Sequence, residues 1–216
     1  MKLLWSPSAP FARKVMVAAH ALGMAERIEC VRTPVGPARL NPEVMASNPL
    51  NKVPTLLLED GKPLYDSRVI CEYLDALAGG DRLFPRDSEA RWSALRRQCL
   101  ADGLLDTLIL RRDEYFRGDG HRSIAHIEAT AVKIQAALDA MEAEADELVD
   151  ASRIDIGRIA IGVALGYLDF RAPDYQWRDG RPRLAGWEAG FAFHPAMRAA
   201  GFVDDGRKRF VFYEIG

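Results

Sequence analysis

The residues best suited to chemistry are Asn48-Pro49-Leu50-Asn51-Lys52-Val53-Pro54-Thr55-Leu56, followed after a short hairpin by Asp66-Ser67. Proline cannot donate to a sheet ladder and belongs at a strand's start or edge, so Val53-Pro54 marks the entry to a strand. With Pro54 cis, the turn leaves the main-chain N–H and C=O of Val53 free to pair with an extended peptide, as an added strand would. Asp66-Ser67 supplies a carboxylate and a hydroxyl at a helix start, where backbone N–H groups favour an anion. One end suits a peptide backbone and the other an amino-acid head group, which points to a small-peptide site. The plainer alternatives are that Asp66-Ser67 is only an N-cap pair and Lys52 only a solvated loop charge.

The elements that must hold these residues follow from periodicity and punctuation. Lys2–Trp5 reads as a short strand, and Pro10 suits the first turn of a helix running to about Leu22, with Gly23 as its stop. Residues 27–32 read as a second strand and 33–37 as a Pro/Gly-rich loop. Residues 55–58 and 63–65 form a hairpin around Asp60-Gly61, a strong two-residue turn signal, and Ser67–Leu77 is a helix. Gly79-Gly80-Asp81 and Phe84-Pro85-Arg86-Asp87 mark a linker, after which the chain reads as helical. Ser88 caps a long helical segment to about Tyr115. Ile124, Ile127, Ala131, Ile134, Leu138, Met141, Ala145 and Leu148 then form a stripe at helical spacing. Ser152-x-x-Asp155 resembles a capping box opening a third apolar helix through about Phe170. The expected organisation is an α/β domain (βαβ–ββα) over residues 1–78, a linker at 79–87 and an all-α helical bundle over 88–216.

With 216 residues, 49% hydrophobic and 28% charged, the chain can bury a real core in one or two domains. A net charge of −2 argues against a nucleic-acid partner, which normally meets a basic excess. The longest uncharged apolar stretch, residues 15–25, spans only eleven residues and cannot cross a bilayer; the N-terminus shows no signal-peptide core. Cys30, Cys71 and Cys99 have neither a CxxC nor metal-like spacing with the four histidines, so no metal is expected and a reducing cytoplasm fits best. Cys30, alternating with Ile28, and Cys71 and Cys99, within helices, read as small core residues.

Four motifs in order, Ser6-Pro-x-x-Pro10-Phe11-x-Arg-Lys-Val15, Asn48-Pro-x-x-Lys52-Val53-Pro54, Asp66-Ser67-x-x-Ile-x-x-Tyr73-Leu74 and Ala164-x-Gly166-Tyr167-Leu168, make nearly the whole chain resemble a cytosolic glutathione transferase. The resemblance implies a thioredoxin-like N-terminal domain, a helical C-terminal domain, a homodimer, glutathione as substrate and a small hydrophobic electrophile as co-substrate. It implies that Val53 pairs with the cysteinyl unit beside cis Pro54, that Asp66 and Ser67 hold the γ-glutamyl end, and that Lys52 reaches the glycyl carboxylate. Ala9 and Phe11 would border glutathione, and Asp102 would reach it across a dimer interface. Asp66 is shorter than the Glu or Gln more usual in the family, and Asn51 stands where many relatives have glycine.

The main departure is Ala9: the resemblance places the family's thiol-activating serine or cysteine just before Pro10, whereas an alignment shifted by one residue makes Ser8 the family serine. A free thiol with a pKa near 8.5 is only about 3% thiolate at pH 7, and lowering it two units takes roughly 2.7 kcal/mol. One hydroxyl bonded to charged sulfur supplies about 1.5–3 kcal/mol. The N-terminus of the Pro10 helix alone supplies only about 0.3–1 kcal/mol. Ser8 is the first candidate donor and Ser6 the second, with helix capping the plainer role for either. Arg111, Arg112 and Tyr115 close the long helix that should border the cleft, where arginine suits an anionic or aromatic co-substrate, and Tyr167 and Trp177 are candidate pocket aromatics. Asp102 and Asp106, one turn apart, read as paired carboxylates or as exposed charge. The absence of a cysteine at the first helix start weighs against a thiol–disulfide oxidoreductase. A non-catalytic binding protein on the same scaffold is the alternative that Ala9 raises.

Overall fold

The computed structural model describes residues 1–118, 120–150 and 153–203. The N-terminal part is a four-stranded mixed sheet in the order β2-β1-β3-β4, formed by β1 (Lys2–Trp5), β2 (Glu29–Arg32), β3 (Thr55–Leu57) and β4 (Pro63–Leu64). β1 runs parallel to β2, with Leu3 opposite Cys30, and antiparallel to β3, with Leu3 opposite Leu56. β4 pairs antiparallel with β3, with Leu56 opposite Leu64. Helix α1 (Pro10–Ala21) crosses between the two parallel strands, and α3 (Ser67–Leu77) packs beside it. A six-residue helix, α2 (Pro42–Ser47), lies between β2 and β3. It was absent from the sequence-based reading although Asn41-Pro42 carries its cap, Asn41 Oδ1 accepting from Glu43 N at 3.0 Å.

The remainder is helical: α4 (Ser88–Tyr115), α5 (Ile124–Ala143), α6 (Ile156–Arg171), α7 (Pro182–Phe191) and α8 (Pro195–Ala199). The long helix opens one residue earlier than read, because Asp87 rather than Ser88 is its N-cap. The apolar stripe buries Ile127, Ile134, Leu138 and Met141, but Ile124 is exposed and Ala145–Leu148 is a separate 3₁₀ turn. Asp155 caps α6 through Arg158 N at 2.9 Å; Ser152 lies outside the described residues. Close approach sets the seams. A Cβ at Gly157 on α6 would sit 2.7 Å from the Ala94 carbonyl of α4, and one at Gly166 would sit 2.6 Å from the Arg13 guanidinium of α1.

Two expectations about cysteine fail here. Cys30 is exposed because β2 is the sheet's edge, and Cys99 faces outward on α4; only Cys71 is buried. Burial pushes the Cys71 thiol up to about 12, so it remains a thiol at neutral pH.

The segment between α3 and α4 is held from both sides. Buried Asp75 accepts from Leu83 N at 2.9 Å and Phe84 N at 3.4 Å, while the Leu83 carbonyl accepts from Ile156 N at 3.0 Å. Leu83 and Phe84 are themselves buried in the shared core. Asp75→Ala leaves two buried amides unsatisfied. It should cost about 2–3 kcal/mol, or roughly 5–10 °C in Tm, by thermal melting; an unchanged Tm would show that water replaces the carboxylate.

Candidate functional site

The loop entering β3 is organised by Asn48, which is buried. Its Nδ2 donates to the Lys52 carbonyl at 3.2 Å and to Thr55 Oγ1 at 3.0 Å, and its Oδ1 accepts from Leu50 N at 3.1 Å. Thr55 Oγ1 also donates to the Lys52 carbonyl at 3.0 Å. The Val53–Pro54 peptide is cis. With these bonds made, neither the N–H nor the C=O of Val53 has an internal partner among the described residues. Half-buried Val53 borders a cavity of about 710 Å³.

Four segments enclose that cavity. The β1–α1 turn contributes Ser6, Ser8, Ala9, Pro10 and Phe11. Ala9 N donates to the Ser6 carbonyl at 3.0 Å, which closes the turn, and Ala9 is the N-cap of α1 with no side-chain capping bond. The Ser6 and Ser8 hydroxyls lie 3.2 Å apart, within hydrogen-bond reach, and Ser8 is buried. The loop after β2 adds Val35 to Pro37 and Leu40, and the β3 entry adds Leu50 to Val53. Helix α4 adds Asp106, Ile109, Leu110, Arg112 and Asp113.

Charge on the α4 wall is uneven. Arg112 donates to Asp113 Oδ1 through Nε at 3.1 Å and Nη2 at 2.7 Å, and to the Tyr167 hydroxyl through Nη1 at 3.1 Å. Asp106 has no ion-pair partner of that kind among the described residues. Partial burial pushes its carboxyl above the usual range, with Lys52 pulling the other way.

Asp66 and Ser67 stand at the start of α3, outside the cavity's lining. Because β3 and β4 are antiparallel, Val53-Pro54 before β3 and Asp66-Ser67 after β4 leave the same end of the sheet. Asp66 Oδ1 accepts from Arg68 N at 2.9 Å, so it is an N-cap, as its plainer reading held; Ser67 is buried.

Several sequence-based placements need correction. Asp102 is neither exposed nor paired with Asp106. It is 1% exposed and receives Lys14 Nζ at 2.6 and 2.8 Å and Arg68 Nε at 2.8 Å. Arg111, Tyr115 and Tyr167 do not line the cavity. A step of one residue rotates a helix by about 100°, so Arg112 faces the cleft while Arg111 turns to α5. There it donates to the Ile127 carbonyl at 2.5 Å and Thr130 Oγ1 at 3.2 Å. Tyr167 is fully buried and accepts from Arg112, which does line the cavity, and buried Trp177 donates to Asp169 at 2.8 Å. Two contributions escaped the sequence. The first is the Lys14–Asp102–Arg68 cluster, signalled only by a lone lysine on the buried face of α1. The second is the 35–40 wall, for which no sequence signal exists.

Residues 8–77 match the glutathione S-transferase N-terminal domain and residues 124–190 the C-terminal domain. The chain is 30% identical over 185 residues to the uncharacterized GST-like protein YibF of Escherichia coli K12, covering 85% of this chain and 90% of that one. The chain belongs to the glutathione S-transferase family. Among solved transferases, a family member from Pseudomonas fluorescens Pf-5 with bound glutathione superposes with a TM-score of 0.89 at 39% identity, over 94% of this chain and 99% of that one. A transferase from Methylobacillus flagellatus KT with glutathione bound gives 0.81 at 35% identity, over 94% and 99%. Among the described residues of this transferase-family chain, no helix is long and apolar enough to cross a membrane.

The buried ion pair generates a stability prediction. Lys14→Met strands the Asp102 carboxylate with only half-exposed Arg68 beside it and should cost about 3–5 kcal/mol in denaturant unfolding. Adding Asp102→Leu should recover part of that loss. Strictly additive losses would mean that the two side chains do not interact energetically.

Proposed function

We propose that this chain binds reduced glutathione and activates its thiol for attack on a small hydrophobic electrophile. The observation that carries this reading is the unpartnered main chain of Val53 at the edge of a cavity whose other walls are largely apolar. The cysteinyl unit would pair with Val53, the γ-glutamyl end would extend toward Asp66 and Ser67 at the α3 start, and Lys52 would meet the glycyl carboxylate. The electrophile would occupy the space bounded by Phe11, Leu40, Leu50, Ile109 and Leu110. The protein forms no covalent intermediate in this scheme. The thiol proton passes to water and the thiolate forms a C–S bond at the electrophilic carbon. The displaced electron pair departs with the leaving group or, in an addition, moves to a neighbouring atom that takes a proton from water. Positioning and thiolate stabilisation provide the acceleration. The glutathione-bound relatives support the first half of this reading.

Activation falls to the serine turn. Ser8, with Ser6 within 3.2 Å, would donate to the sulfur in place of the hydroxyl that Ala9 lacks, aided by the N-terminus of α1. Ala9 favours one competing reading, a binding or regulatory protein that retains the peptide site without catalysis. Titrating glutathione by calorimetry, with ultraviolet thiolate absorbance followed across pH, separates the two. A lowered thiol pKa in the wild type, raised by about one to two units in Ser8→Ala, supports activation. Binding with no shift in the wild type favours the scaffold, and no binding removes both.

A homodimer working in a reducing cytoplasm completes the proposal. Val69 and Leu77 on α3 and Trp92 on α4 are exposed apolar side chains suited to a second copy. Light scattering at micromolar concentration should return twice the chain mass; a monomer there would sink the dimer.

A further inference from the structure

We propose that Asn51 is a positioning residue whose side chain fixes the apolar rim of the cavity, so that the rim grips the hydrophobic group attached to a glutathione sulfur. The proposal rests on the glutathione reading above. Asn51 adopts a left-handed backbone with φ +54°, a conformation that glycine and asparagine tolerate best. Where glycine would leave that position bare, asparagine spans two loops. Its Oδ1 accepts from Asn41 N at 2.9 Å and its Nδ2 donates to the Arg39 carbonyl at 2.9 Å.

Both bonds land on one compact unit. Gly36 and Arg39 exchange backbone hydrogen bonds of 3.2 and 3.1 Å, which closes a tight turn, and Asn41 caps α2. Asn51 therefore holds the whole 36–41 segment, which otherwise projects from the sheet's edge strand. The residues preceding the bonded pair are Leu40 and Leu50, 68% and 65% exposed, and both line the cavity. Two exposed leucines on adjoining loops form an apolar mouth whose width depends on the clasp between those loops. The clasp is separate from the peptide-pairing element, because Asn48 rather than the Asn51 side chain holds Lys52 and Thr55. Asn51 thus governs what sits on the sulfur, not the tripeptide itself.

The test uses glutathione and its S-methyl, S-butyl and S-hexyl conjugates with the wild type, Asn51→Gly and Asn51→Asp. Glycine keeps the backbone conformation and deletes both bonds; aspartate keeps the acceptor for Asn41 and loses the donor to Arg39. In the wild type, affinity should rise by up to about fourfold per buried methylene. In Asn51→Gly that increment should fall below about twofold per methylene while glutathione itself binds within about twofold of wild type, with Asn51→Asp intermediate. Hydrogen exchange reads the clasp without ligand: the Asn41 amide should exchange about fivefold faster or more in Asn51→Gly. Unchanged increments overturn the proposal. So does an equal loss for glutathione and every conjugate, since Asn51 would then serve the peptide loop. A wild type that binds no glutathione sinks the functional reading and the ligand proposed here, whereas unchanged exchange at Asn41 sinks the clasp alone.

Discussion

The ion pair between Lys14 and Asp102 is the constraint on which the arrangement of the cleft depends. Both side chains are almost wholly removed from water, and they join α1 of the sheet domain to α4 of the helical domain. An isolated buried charge would cost several kcal/mol, so neither helix can move away without stranding the other's ion. Arg68 adds α3 to the same carboxylate at 2.8 Å. Lys14 Nζ also lies 5.5 Å from the centre of the Phe11 ring, one turn nearer the cavity. On α4 the next turn beyond Asp102 presents Asp106, and the turn after that Ile109 and Leu110. The cavity opens from this anchored seam, so the distance between its serine turn and its α4 wall is set by a bond buried below it.

Other contacts reinforce that geometry rather than duplicate it. Arg13, one residue before Lys14, lies across α6 where Gly166 leaves room and donates to the Ala200 carbonyl at 2.7 Å. Its burial lowers the guanidinium to about 10, still charged at neutral pH, so the bond keeps its charge assistance. Asp75 holds the connecting segment through amide groups, and Leu83 passes that restraint to α6. The two domains meet along α1, α4 and α6, with charged groups setting register and the surrounding apolar side chains excluding water.

The fold was legible because its signals are local. Strand β1, helix α3 and the Asp60-Gly61 hairpin each announce themselves within a few residues, and the long α4 lacks a proline to end it. The turn that enters β3 was legible for the same reason: Val53-Pro54 restricts its own backbone. What stayed hidden depends on partners distant in sequence. Periodicity puts Arg111 and Arg112 on different faces of α4, but only the packing of α5 decides which face is wet. Cys30 lies on a strand, yet its exposure follows from β2 being an edge, a property of strand order. Lys14 becomes half of an ion pair only because Asp102 arrives from 88 residues away.

The site separates two tasks that a reader of Ala9 alone would merge. Pairing an extended peptide needs the main chain of Val53, and main-chain groups survive any side-chain substitution that leaves the turn intact. Asn48 secures that turn without touching the β1–α1 segment. Thiol activation, by contrast, would need a hydrogen-bond donor near the sulfur, and under the glutathione reading that role falls to the Ser6–Ala9 turn, which lines the cavity beside Val53. Under that reading a methyl group at position 9 would weaken the second task and leave the first untouched. The Ser6–Ser8 pair matters for that reason: a hydroxyl that accepts from its neighbour is a stronger donor to a thiolate than a lone one. Under the glutathione reading the capacity to bind and the capacity to activate would rest on different loops, and they could be lost independently.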